Sequence, residues 1–209
     1  MDDRVRELKY EVDEILTPYS QRNDRFAEAM SRRRQAIVDT WYLWIQELFC
    51  DAVGFTIGGP SFLYAFSGFL STRDRGNYYR EADELDYSTH PVTWLRVHFL
   101  ARRLSEAGFT DLARDVENEW RTMARLMKLE EDYHGFYDES LDQAITQTIE
   151  DLLTEAGPRP FLDDEAQGNG WSPNSDSLIR LLNWAWQIYL NDSQNYIQWE
   201  AEHIKILLG

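Results

Sequence analysis

Glu47 and Asp51 stand four residues apart, with His90 before Pro91 well downstream and Arg96 beyond it. On a helix, carboxylates at that spacing share one face, a turn apart. Their sequence neighbours Trp44, Ile45, Leu48, Phe49, Ala52, Val53 and Phe55 are apolar. A carboxylate in such company needs a partner, because an unpaired buried charge is costly. A metal ion, an arginine or an imidazole would each serve. His90 is poised at the N-terminal end of the helix that Pro91 opens, and Arg96 lies further along it. On spacing alone, an acidic pair neutralised by arginine is favoured over metal ligation. The usual fate of a histidine before proline is to cap a turn.

The other histidines read more blandly. His98 falls within an apolar helix and reads as a satisfied core imidazole. His134 neighbours Glu130, Glu131, Asp132 and Asp138, and a solvated loop is the simpler reading than a cation-holding cluster. His203, beside Glu200 and Glu202, reads as an exposed helix residue. Cys50 is the single cysteine, which rules out an intrachain disulfide, and its apolar setting predicts an inert core thiol. Trp184, Trp186 and Trp199 read as core or interface aromatics. The sequence contains no glycine-rich phosphate loop, nucleophile elbow or cysteine-based metal pattern.

The Glu47-Leu48-Phe49-Cys50-Asp51-Ala52 run resembles the Glu-x-x-x-Asp helix of gluzincin zinc metallopeptidases of the M48 kind. Thr89-His90-Pro91 with Arg96 is similar to the Thr-His-Pro…Arg element that follows it there. The resemblance spans residues 44–96. It implies Glu47 as a zinc ligand, Asp51 as the acid that orients a ligating histidine, and His90 with Arg96 as electrostatic helpers. The family's His-Glu-x-x-His helix, which supplies two ligands and the general base, is absent from this sequence. Zinc is therefore expected only if the missing histidines come from an upstream segment or a partner chain, and a peptide substrate only if the site is so completed. The resulting expectation is a truncated or degenerate metallopeptidase-like helical domain. A non-catalytic acidic helical interaction module, able to pair as a homodimer, is the alternative.

The elements that must position these groups are helical. Val5, Leu8, Val12 and Ile15 step by three and four, and Pro18 closes that run. Phe26, Met30, Ile37, Trp41, Trp44 and Leu48 follow, with a polar middle at Ser31–Gln35. Gly58-Gly59-Pro60 breaks the pattern, and Pro60 suits the first turn of an apolar helix over 61–70. A polar connection over 71–89, carrying Gly76 and Asn77, reads as surface loop. Pro91 opens a helix bearing Trp94, Val97, Ala101 and Leu104, closed by Gly108. Thr110 is expected to cap the next, with Leu112, Val116, Trp120, Met123 and Met127 on one face. Ser140 and Gln143 form a capping-box pair ahead of Ile145, Ile149 and Leu152. Pro158, Pro160, Gly168, Gly170 and Pro173 mark an irregular segment, followed by helices over 178–190 and 193–208.

No stretch alternates like a strand, so the chain reads as all-α, an irregular bundle of about seven or eight helices. Residues 1–156 read as a core domain, 157–176 as a linker and 177–209 as a helix pair on the same core. Among 209 residues, a formal charge of −16 and only three lysines suit an acidic, halophilic, cytoplasmic protein. That charge disfavours nucleic acid as a partner. The longest apolar stretch, over 48–70, is too interrupted to span a bilayer, and the N-terminus lacks a signal core.

Overall fold

The structure, a computed structural model, describes residues 2–16, 24–73, 82–129, 131–167 and 169–208. Pro18, Gly76, Asn77, Glu130 and Gly168 lie outside them, as do the side chains of Phe26 and Met30. Within the described residues the chain is all-α. Eight helices of fourteen residues or more are present: α1 (Asp2–Leu16), α2 (Asp24–Gly58), α3 (Pro60–Arg73), α5 (Thr93–Glu106), α6 (Thr110–Met127), α7 (Asp142–Ala156), α9 (Leu178–Asn191) and α10 (Ser193–Leu208). Two single turns, α4 (Ala82–Leu85) and α8 (Asp163–Ala166), and a 3₁₀ turn over Glu139–Leu141 complete the set.

The chain divides into two compact units. The first comprises Met1–Ala52 and Leu70–Gly157, the second Val53–Phe69 and Pro158–Gly209. The Gly157 boundary coincides with the composition change read from the sequence. The excursion over 53–69 had no such signal at its edges, because both fall inside helices, one in α2 and one in α3. The C-terminal helix pair accordingly groups with this excursion and with 158–176.

In the first unit the core is built on long-range aromatic packing. Trp41, Trp44, Trp120 and Phe136 are essentially inaccessible to solvent. Trp41 and Trp44 meet edge-on at 5.3 Å, and the Trp41 indole N–H donates to the Phe136 carbonyl at 2.6 Å. Each ring removes a large apolar area from water while keeping its polar atom bonded. Helix α5 packs on α6, and α1 on α7. Val5, Leu8 and Val12 are buried as their spacing predicts.

Helix ends differ in detail from the sequence reading. Thr110 is the first residue of α6 rather than its cap; Phe109 holds the cap position with no side-chain bond. Asp138, not Ser140, does the capping before α7, where its carboxylate accepts from the Ser140 amide at 2.9 Å. The longer Asp side chain two positions earlier reaches the free amide at the start of the 3₁₀ turn that leads into α7.

In the second unit α2 ends at Gly58, and Gly59 takes a left-handed φ of 68° before Pro60 opens α3. A Cβ on Gly59 would also meet the Phe161 ring at 3.1 Å, so both conformation and space favour glycine there. The expected linker is a folded segment. Glu165, 4% exposed, accepts from the Leu162 amide at 2.8 Å, from Arg159 at 3.0 Å and from the Ser177 hydroxyl at 2.5 Å. Ser177 in turn caps α9 by accepting from the Arg180 amide. A chain of rings runs from Tyr64 through Trp186, Tyr189, Tyr196 and Trp199 to His203.

Candidate functional site

The four residues singled out by type and spacing converge in the first unit. Helix α2 supplies Glu47 and Asp51, the turn before α5 supplies His90, and the first turns of α5 supply Arg96. His90 Nδ1 lies 2.9 Å from Glu47 Oε2. Arg96 Nη2 lies 3.3 Å from that same oxygen. The Arg96 guanidinium also grips Asp51 with two hydrogen bonds of 2.7 Å, Nε to Oδ2 and Nη2 to Oδ1. This forked, charge-assisted arrangement is the strongest that arginine offers a carboxylate.

The cluster is graded in depth. Side-chain exposure falls from 56% at His90 through 30% at Glu47 and 13% at Arg96 to 6% at Asp51. In depth, the Arg96 guanidinium therefore sits between the two carboxylates. Burial pushes the Asp51 carboxyl above its ordinary range, and the Glu47 charge adds to this; the Arg96 bonds pull it back only in part.

A wider pattern holds the cluster in place. Thr40, Trp44, Glu47 and Asp51 follow one another by four, three and four residues, and so occupy one face of α2. Each meets the segment 85–96 in order. Thr40 Oγ1 accepts from the Tyr87 amide at 2.8 Å and donates to the Leu85 carbonyl at 3.4 Å. The Trp44 indole donates to Ser88 Oγ at 3.0 Å, and Ser88 Oγ donates to the His90 carbonyl at 3.3 Å. Glu47 and Asp51 then take His90 and Arg96. Tyr87 has a left-handed φ of 58°, a conformation unfavourable for a bulky residue, and the Thr40 bond helps to hold it. Thr40, Trp44 and Ser88 were missed in the sequence, although the spacing along α2 was there to read.

The donor set of this cluster does not itself fit zinc. With Asp51 gripped by Arg96, it leaves one carboxylate and one imidazole where zinc takes several protein ligands, and the guanidinium beside the shared Glu47 oxygen opposes a dication. Among the described residues no three His, Cys, Asp or Glu side chains assemble as a metal-binding group.

The remaining candidates lie elsewhere. Cys50 is exposed rather than core, because its position on α2 turns away from the packed face. Desolvation, with the Glu47 and Asp51 charges, pushes its thiol up, which makes it a poor nucleophile. His98 is half-buried between Glu117 and Asp142. His134, at a left-handed φ of 48°, lies 3.5 Å from Asp132, and its carbonyl accepts from Arg33 at 2.7 Å. His203 is stacked on Trp199 at 4.2 Å, where an exposed position was expected; the i, i+4 spacing brings the two rings together. No described helix is long and apolar enough to cross a membrane. Comparison of the chain with family models, curated proteins and solved structures finds no match.

Proposed function

We propose that this chain is a degenerate gluzincin-like domain in which the Glu47–His90–Arg96–Asp51 cluster acts as an ion-pair fastening within a non-catalytic helical module. The observation that carries the reading is the meeting of His90 and Arg96 on one oxygen of Glu47. Residues drawn from the Glu-x-x-x-Asp and Thr-His-Pro…Arg elements gather at one place, as descent from such a site requires. Arg96 occupies, electrostatically, the role that a cation would fill between the two carboxylates. On this reading the domain is cytoplasmic and suited to a salt-rich interior. A peptide substrate and zinc enter only with histidine ligands from outside these residues.

Metal analysis of the purified chain after exposure to zinc and dialysis tests this, together with hydrolysis of an unstructured protein such as casein. The expected result is no stoichiometric zinc and no cleavage. One zinc per chain, lost in Glu47→Gln, would overturn the reading and restore an active site.

The homodimeric interaction module remains a second reading. It is favoured by α9, which leaves Leu178, Leu182, Tyr189 and Leu190 exposed. Sedimentation equilibrium over a wide concentration range decides it, and a monomer throughout removes it.

A further inference from the structure

A second charged cluster lies in the first unit, away from the residues treated above. His98 of α5 has its Nδ1 3.2 Å from Glu117 Oε1 of α6. Its Nε2 lies 3.6 Å from Asp142 Oδ2, at the start of α7. Both ring nitrogens therefore face carboxylates carried by different helices. We propose that His98 is a proton-sensitive fastener, tying α6 and the start of α7 to α5 more firmly when its imidazole carries two protons.

The argument rests on donor counting. A neutral imidazole has one N–H and one lone pair; an imidazolium has two N–H groups. Only the charged ring attracts both carboxylates at once, bonding Glu117 through Nδ1 and standing in ion-pair range of Asp142 through Nε2. In the neutral ring one carboxylate faces a lone pair. The surroundings decide which one. Asp142 has other donors: the Tyr137 hydroxyl at 2.5 Å and Arg102 Nη1 at 3.6 Å. The neutral ring therefore keeps its proton on Nδ1 for Glu117, and the contact with α7 is the one that weakens.

The other charged groups near the ring do not cancel this. Arg102 also reaches Glu106 on its own helix at 3.3 Å. Arg121 of α6 sits over the Trp94 ring, which packs on His98 at 5.7 Å. Arg114 lines the same cavity of about 310 Å³ as His98, Glu117 and Asp142, but its nearest acidic partner is Asp111, at 2.9 Å. The cavity gives water, and hence protons, a route to the ring. With side chains 22–29% exposed, the three partners lie deep enough for their pairing to matter and open enough for water to reach them.

Thermal unfolding of the full chain, followed from about pH 5 to pH 8, tests the proposal by comparing wild type with His98→Gln. His90, His134 and His203 are present in both proteins, so the difference isolates His98. The wild type is expected to lose roughly 2–4 °C of Tm relative to the variant as the pH rises. Parallel curves would overturn the idea. Should His98→Gln fail to fold, NMR titration of the His98 ring in wild type and Glu117→Gln gives an independent reading. A lower midpoint in Glu117→Gln than in wild type is the expected result; an unmoved midpoint would equally overturn the proposal.

Discussion

Asp51 in the first unit and Glu165 in the second are almost equally hidden from water, at 5% and 4% exposure. Their acidities nevertheless move in opposite directions. Burial raises Asp51 above its ordinary range, and the Glu47 charge on the same helix face adds to the rise. Glu165 suffers burial too, yet Ser177, Arg159 and the Leu162 amide hold it below its ordinary value. The donors that reach a buried acid, as well as its depth, set its ionisation. Asp51 relies on one guanidinium that it shares with Glu47, whereas Glu165 collects donors from three residues and has no acidic competitor among its bonded partners.

The largest effect should come from removing the shared guanidinium. Arg96→Gln leaves Asp51 buried without its charged partner and is expected to cost about 3–5 kcal/mol, read from urea denaturation. Adding Asp51→Leu to an Arg96→Met background should recover most of that loss. A single-variant cost below about 1 kcal/mol would show that water, not Arg96, satisfies Asp51.

Glu165→Gln keeps the shape but removes the charge, and should cost about 1–3 kcal/mol at neutral pH. Its pH dependence sharpens the contrast. Because the folded chain holds Glu165 below its ordinary 4.5, that contribution is full above 4.5 and is lost as the pH falls through the folded value. Asp51 has the opposite sign. Its folded value lies above 3.8, so its contribution is present in acid and is lost as the pH rises through the folded value. Stability measured between about pH 3 and 6 should therefore flatten in Glu165→Gln and steepen in Asp51→Asn. Equal slopes in both variants would erase the distinction.

A smaller effect is expected from Trp44→Phe, which retains the ring packing but strands Ser88 without the indole donor. About 1 kcal/mol should be lost, and the His90 ring resonances should shift as its turn loosens. The smallest belongs to Arg114→Ala, whose partners are well exposed. Its denaturation midpoint should correspond to a change within roughly 0.5 kcal/mol.

Much of this contrast could be read from one dimension, and part of it could not. The i, i+4 relation of Glu47 and Asp51 is local geometry, so the sequence placed both on one face of α2. Trp44 and Thr40 obey the same periodicity, but what they hold is a turn far along the chain, which no local pattern announces. Glu165 gave no signal at all. It sits among Pro158, Pro160 and Gly170, residues that read as a linker because their backbone preferences are visible and their side-chain partners are not. His203 likewise looked solvent-facing beside Glu200 and Glu202, since only the folded chain brings Trp184 of α9 against it, next to the Trp199 ring of its own helix.

By itself the sequence determined the helical class, most helix positions, the break at Gly58-Gly59-Pro60 and the acidic surface. These follow from periodicity, from the backbone limits of glycine and proline, and from composition, which act within a few residues or on the chain as a whole. Only the tertiary structure decided that Arg96 joins Glu47 to Asp51, that residues 53–69 group with the C-terminal helices, and that two buried carboxylates differ in acidity. Those outcomes depend on which distant donors reach a given oxygen, a matter of packing in three dimensions that pattern along the chain does not carry.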